Sequence, residues 1–327
     1  MRRRDFIAAL GTAAAWPHGT RAQDAGRTYR LGMMFPFPRE ALESVGIVDA
    51  LMDELRRNGF VEGKNLVVEY RAWAAHLDLI SDYAAELVKR PLDVLAAGGT
   101  PAARAVQKAT NALPILAITD DMIREGVVGS MARPDGNTTG VSILAIELDG
   151  KRQEILIEAV PGARRIAALA DTNATPLARL EALQQEAKAR SIELAIRRVD
   201  NGNEIPAALE SAEAAGATGL NVLASPMLHA NYQIILQRVA ALRLPAIFQW
   251  PELAEEGGFV AYGPRFTQLI RDLYARQLVQ MFRGVKVADI PVEQPSKFEL
   301  AINLKTANAL GVTVPPAMVA RADRVIE

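Results

Sequence analysis

The sequence predicts an α/β fold built from two similar sets of strand–helix units, and three observations carry that expectation. Short apolar runs alternate with longer amphipathic ones from Tyr29 to the C-terminus, as in βαβ units with right-handed crossovers. The apolar runs are near-continuous rather than alternating, as in parallel strands covered on both faces. Three breaks rich in glycine, proline or charge divide the series: Gly136-Asn137-Thr138-Thr139-Gly140, Glu255-Glu256-Gly257-Gly258 and the stretch 284–295. Such clusters are loops or inter-domain crossings. One set of units lies before about residue 145 and one after it, so three breaks imply three crossings between two lobes.

In the first set, strands are expected at 30–35, 66–71, 93–97 and 114–118, with helices at 41–58, 77–89 and 102–111. Within 41–58, Val48, Leu51, Met52 and Leu55 fall three and four apart, which makes one helical face. In the second set, strands are expected at 165–170, 193–199, 219–224 and 245–249, followed by 258–262 and 298–302. Helices at 150–159, 176–190, 204–215, 230–242 and 265–283 complete the pattern.

The N-terminus reads as an export signal spanning 1–22: Arg2, Arg3 and Arg4, a short apolar run to Trp16, then Thr20-Arg21-Ala22 as a cleavage site. Arg3-Arg4-Asp5-Phe6-Ile7 resembles a twin-arginine signal, although Ala8 stands where a lysine often closes that motif. Twin-arginine and general secretory export both stay open.

The 327 residues suffice for two ordinary domains, and a hydrophobic content of 50% supports packed cores. A net charge of -1 argues against a nucleic-acid partner, which needs a clustered basic face. The cysteine count of 0 excludes disulfides, thiol chemistry and a lipid-modified cysteine after the signal. No apolar run approaches the ~20 residues of a membrane span.

In open α/β sheets, ligands bind beyond the carboxyl ends of the strands. Phe37, after the first strand, either stacks on a ligand or packs inward. Gly98-Gly99-Thr100-Pro101 opens a helix, with Thr100 as a candidate cap. Gly99 and Thr100 there either receive an anion at the helix N-terminus or form an ordinary joint. Asp120 and Asp121 follow the fourth strand and either hold an amino group or cap the next helix. In the second set, Asn173, Ser225, Gln249, Trp250 and Tyr262 stand at successive strand ends as a polar and aromatic recognition set. Trp250 suits stacking or cation–π capture, or packing of the lobes. Enzymatic readings are poor. There is no G-x-G-x-x-G, P-loop or G-x-S-x-G motif. His18 lies in the signal, and His76 and His229 are far apart without metal-ligand spacing. Each reads as an isolated surface or core histidine.

Four stretches carry a family resemblance. The run Ala288-Asp289-Ile290-Pro291-Val292-Glu293-Gln294-Pro295-Ser296-Lys297-Phe298-Glu299-Leu300-Ala301-Ile302-Asn303-Leu304-Lys305-Thr306-Ala307 resembles the C-terminal hallmark of ABC transporter substrate-binding proteins of the tryptophan/tyrosine-binding type. Arg133-Pro134-Asp135-Gly136-Asn137-Thr138-Thr139-Gly140, Gly257-Gly258-Phe259-Val260-Ala261-Tyr262-Gly263 and Gly99-Thr100-Pro101-Ala102-Ala103 resemble further family stretches. The family's Asp-Pro-Val after the fourth strand reads Asp121-Met122-Ile123 here, with Asp120 as an added acid.

The resemblance implies a type I periplasmic-binding fold: two Rossmann-like lobes joined by three crossings, one of 28–143 plus 258–285 and the other of 144–257 plus 286–327. It implies a monomeric, non-enzymatic periplasmic receptor, without cofactor or metal, that holds a small amino-acid-like or aromatic acid between hinged lobes. Its second partner would be an ABC permease in the inner membrane; the alternative is a receptor that feeds a membrane sensor.

Overall fold

The structure is a computed structural model, and it describes residues 26–73 and 76–327. The export signal expected at 1–22 lies outside the described residues. No helix among the described residues is long and apolar enough to cross a membrane.

The first lobe is built on five strands: β1 (Tyr29–Phe35), β2 (Leu66–Ala72), β3 (Val94–Gly98), β4 (Ile115–Thr119) and β5 (Thr138–Ser142). They form one parallel sheet in the order β2-β1-β3-β4-β5. The second lobe has seven: β6 (Arg165–Asp171), β7 (Glu193–Val199), β8 (Leu220–Val222), β9 (Ala246–Phe248), β10 (Val260–Gly263), β11 (Glu299–Asn303) and β12 (Arg324–Ile326). Their order is β12-β11-β10-β9-β8-β6-β7, with only β10 and β11 antiparallel. In both sheets the order reverses beside the first strand of the set, β1 or β6. This doubly wound arrangement opens a crevice beyond the strands' carboxyl ends.

Burial follows the apolar runs. β3 and β4 are buried along their whole length, as the unbroken apolar runs require for a sheet covered on both faces. The helix Ile47–Arg57 turns Val48, Leu51 and Leu55 into a core with Tyr29, Phe60, Tyr274 and Phe282. The expected helix 41–58 is split: Arg39–Ser44 ends before Gly46, whose φ of 70° lies in the left-handed region that glycine tolerates. The helix expected at 265–283 is one run with a π-helical turn at Ile270–Ala275 in its middle.

Three expectations are corrected. The break at 136–140 runs straight into β5, whose polar residues hide a strand. Thr138, Thr139 and Ser142 are buried there. Thr139 donates to the Ile290 carbonyl at 2.6 Å, and Ser142 accepts from the Met122 amide at 2.9 Å. Second, β10 pairs with β9 and β11, so 258–263 belongs to the second sheet rather than the first lobe. Third, residues 286–293, expected in the second lobe, stay with the first. Val287 and Ile290 join its core, and Glu293 bridges to Val141. The chain therefore leaves the first lobe after β5, returns after β10, and leaves again after Glu293.

Candidate ligand-binding cleft

Aromatic rings from both lobes meet beyond the strand ends. Phe37 follows β1 in the first lobe, and its loop is held by the Tyr70 hydroxyl, which donates to the Phe37 carbonyl at 2.7 Å. Its ring meets the imidazole of His229 edge-on, with centroids 5.3 Å apart. His229 lies in the short helix Pro226–Ala230 after β8. Trp250 follows β9, is buried, and packs 4.7 Å from Phe266, where the chain re-enters the first lobe. Tyr232 lies 5.9 Å from His229. Gln249 shares with His229 and Tyr232 the lining of a cavity of about 10 Å³, closed otherwise by second-lobe core residues such as Ile235, Phe248 and Leu253.

Several shielded polar atoms along these strand ends have no hydrogen-bond partner among the described residues: Trp73 Nε1, Thr119 Oγ1, His229 Nδ1 and Trp250 Nε1. Trp73 follows β2 and lines Gly99, where a methyl group would stand 3.6 Å from its ring. Burial lowers the pKa of His229 to about 4, which keeps the imidazole neutral.

The anionic side is organised by crossing contacts. Asp120 accepts from the Ile146 amide at 3.0 Å and from Arg124 at 3.2 Å. Arg124 also reaches Glu147, in the crossing segment, at 2.7 Å. Burial, opposed in part by these bonds, raises the pKa of Asp120 to about 6. Asp121 accepts from the Ile123 and Arg124 amides across a turn, and no helix follows among the described residues between β4 and β5, so the expected helix cap is not formed.

The sequence-derived residues divide on this geometry. Phe37, Gln249 and Trp250 converge around His229. Asp120, Thr100 and Glu125 form a second group, because the Thr100 hydroxyl donates to Glu125 and Glu125 adds to the upward push on Asp120. Gly99, not Thr100, is the cap residue of the helix Thr100–Ala109, and its own amide is bonded to Ile118. Ser225 is fully occupied: it donates to Asp171 at 2.6 Å and accepts from the Met227 and Leu228 amides. Asn173 is exposed, and its amide nitrogen reaches the Asp200 carbonyl at 3.4 Å. Tyr262 is turned away. In β10, Val260 and Tyr262 pack on one face of the sheet, while Ala261 packs on the face that holds Trp250, and Tyr262 lies beside Phe298. Strand periodicity of two separates it from the cluster.

His229 and Trp73 stand beyond strand ends but were not among the candidates drawn from the sequence. Each is a single residue within an otherwise ordinary stretch, and only the position beyond a strand end signals a role. Arg152 was missed as well. It is fully buried with Asp149, and it donates to Asp149 at 2.5 Å, to the Ala145 carbonyl and to the Tyr262 carbonyl at 3.2 Å. It thereby ties together two segments next to the lobe crossings.

Two doubly wound lobes, crossed three times and meeting through strand-end aromatics, define a small-molecule binding protein. The family follows from the sequence match: residues 40–326 match the profile of the ABC transporter substrate binding protein family, and the chain belongs to it. That is a family of binding proteins rather than enzymes. The chain is 26% identical to a tyrosine-binding protein of Clostridioides difficile (strain R20291) over 271 residues, 81% of this chain and 75% of that one. Among solved structures, it resembles a conserved domain protein from Vibrio cholerae with a TM-score of 0.81 and 22% identity, covering 91% of this chain and 100% of the other. It also resembles an ABC domain in complex with L-Trp from Streptococcus pneumonia, with a TM-score of 0.78 and 22% identity, covering 91% and 100% of the two chains.

Proposed function

We propose that this protein is an exported solute receptor that captures an aromatic, amino-acid-like ligand between its lobes and delivers it to an ABC permease. The observation that carries this reading is the ring cluster shared by the lobes, Phe37 and Phe266 from one and His229 and Trp250 from the other. Shielded, unpaired polar atoms lie within it. Support comes from the relatives: one is named for tyrosine binding and another holds L-Trp.

The roles follow from chemistry. Phe37 and Trp250 cover the ligand's ring, and Gln249 offers an amide beside it. Asp120, ionised at neutral pH, faces the ammonium group. The ligand's carboxylate competes with Glu125 for the Thr100 hydroxyl at the positive end of the helix Thr100–Ala109. Contacts to both lobes favour the closed state, and the permease reads closure.

A thermal-shift screen of the mature chain against amino acids, aromatic acids and short amides tests this. A true ligand at ~100 times its dissociation constant stabilises the fold by about 2.7 kcal/mol. Stabilisation by aromatic amino acids, weakened about tenfold or more in affinity by Asp120→Asn, is the expected outcome. Stabilisation by none of them would remove the reading.

A further inference from the structure

We infer that Leu144 is the pivot of lobe closure, and that Asp120 from the first lobe and Arg152 from the second are positioning residues that hold it in a strained, left-handed backbone while the lobes are together. The inference rests on the reading above that the lobes close on a solute; the pivot and its clamp go beyond that reading.

The chain first leaves the first lobe after β5, through residues 143–148. Leu144 in this segment has a φ of 55°. Two other non-glycine residues among those described share that region, Ser191 at 58° and Arg243 at 51°. Each comes directly after the cap residue of a helix, Leu177–Ala189 and Tyr232–Ala241, where left-handed backbone is a common ending. Leu144 ends no helix. A leucine there carries a steric cost that a glycine avoids.

Hydrogen bonds from both lobes hold this segment. On the first-lobe side, the Ile143 amide donates to the Thr119 carbonyl at 2.9 Å and the Leu144 amide to the Asp120 carbonyl at 2.8 Å. The next peptide, between Ala145 and Ile146, is gripped from both sides. Its N–H, from Ile146, donates to the Asp120 carboxylate at 3.0 Å, and its C=O, from Ala145, accepts from Arg152. Arg152 also donates to the Tyr262 carbonyl at 3.2 Å, in β10, the strand that leads into the second crossing. Arg152 is fixed in the second lobe through Asp149, which accepts from the Ala224 amide at 3.1 Å. One rigid peptide plane is therefore shared by a carboxylate of one lobe and a guanidinium of the other.

Phe37 of the first lobe meets His229 of the second, so this is the arrangement with the lobes together. Strained backbone of this kind persists only where its surroundings hold it. Rotation of one lobe against the other pulls the two grips apart, and a few residues at a crossing absorb such a rotation. The clamp favours closure and the strain at Leu144 favours opening, so their balance sets how firmly the closed state holds a ligand.

Spin labels at Lys108→Cys and Lys188→Cys, one exposed position on each lobe, report lobe separation in the ligand-free mature chain. Calorimetric titration with L-tyrosine and L-tryptophan reports affinity. Leu144→Gly removes the strain and is expected to shift the ligand-free distances shorter and to tighten binding by up to about tenfold. Leu144→Val, whose branched side chain tolerates a positive φ still less, is expected to lengthen the distances and weaken binding. Arg152→Lys keeps the charge beside Asp149 but loses the planar fork that spans two carbonyls, and is expected to act like Leu144→Val. A merely structural role would move the urea midpoints of these variants and leave distances and affinities alone. Wild-type distances in both Leu144 variants would overturn the pivot. Binding of neither amino acid by the wild-type chain would sink the receptor reading, and the ligand-free distances would still decide the pivot.

Discussion

Asp120 and His229 are two half-buried groups whose proton balances run in opposite directions. The pKa of His229 is lowered to about 4 from an ordinary 6.5, so the unfolded chain binds the extra proton between those values. Its neutral form contributes fully above pH 6.5 and loses up to about 3 kcal/mol as the pH falls to 4. Asp120, raised to about 6 from 3.8, holds its proton longer in the folded state. Its contribution is full below pH 3.8, and about 3 kcal/mol is lost as the pH rises through 6. Urea denaturation across pH 4 to 7.5 checks both. Asp120→Asn is expected to gain stability over wild type at pH 7.5 but not at pH 4, and His229→Phe to gain at pH 4 relative to pH 7.5. Parallel profiles for wild type and both variants would contradict these assignments. At this scale the sequence was only partly legible. Phe37, Gln249 and Trp250 were placed correctly beyond strand ends, because position after a strand decides that. Ser225 and Thr100 were not readable as occupied, since their partners Asp171 and Glu125 lie 54 and 25 residues away.

Periodicity made most elements legible, and the misses have particular causes. β5 reads as a loop because Thr-Thr-Gly-Val-Ser lacks apolar character, yet its hydroxyls are consumed in tertiary bonds. Gly140 shows how tight that strand is: a methyl group there would stand 1.8 Å from the Ala117 carbonyl oxygen, a backbone atom of β4 that has no room to move. Gly140→Ala is expected to cost more than about 4 kcal/mol or to abolish folding, as followed by circular dichroism in urea. β10 was assigned to the wrong lobe because the glycine-rich break at 255–258 is the loop between Pro251–Glu255 and β10, not a crossing. The buried pair Asp149–Arg152 works at the same scale, since Arg152 links the helix Asp149–Ala159 to the segments ending at Ala145 and Tyr262. Removing one partner of a buried ion pair strands the other, so Arg152→Met is expected to cost about 3–5 kcal/mol in the same assay. A cost under 1 kcal/mol would show that the pair is dispensable.

For the whole molecule, two lobes were readable from the two sets of strand–helix units, but two of the three breaks did not mark crossings: 136–140 runs into β5, and 255–258 leads into β10 of the second sheet. What composition does not record is which rings meet across the cleft, since that depends on how two separately folded sheets face each other. The central claim is that a ligand held by both lobes fixes their separation. The absence of cysteine makes site-specific labelling straightforward. Lys108 on the first lobe and Lys188 on the second are both exposed, so Lys108→Cys and Lys188→Cys accept spin labels without touching the cleft. The most direct measurement is the distance distribution between these labels by double electron–electron resonance, with and without saturating L-tyrosine or L-tryptophan. The expected result is a broader, longer distribution that collapses to one narrow, shorter distance when ligand is added. An unchanged distribution at saturating ligand would contradict capture by closure of the lobes.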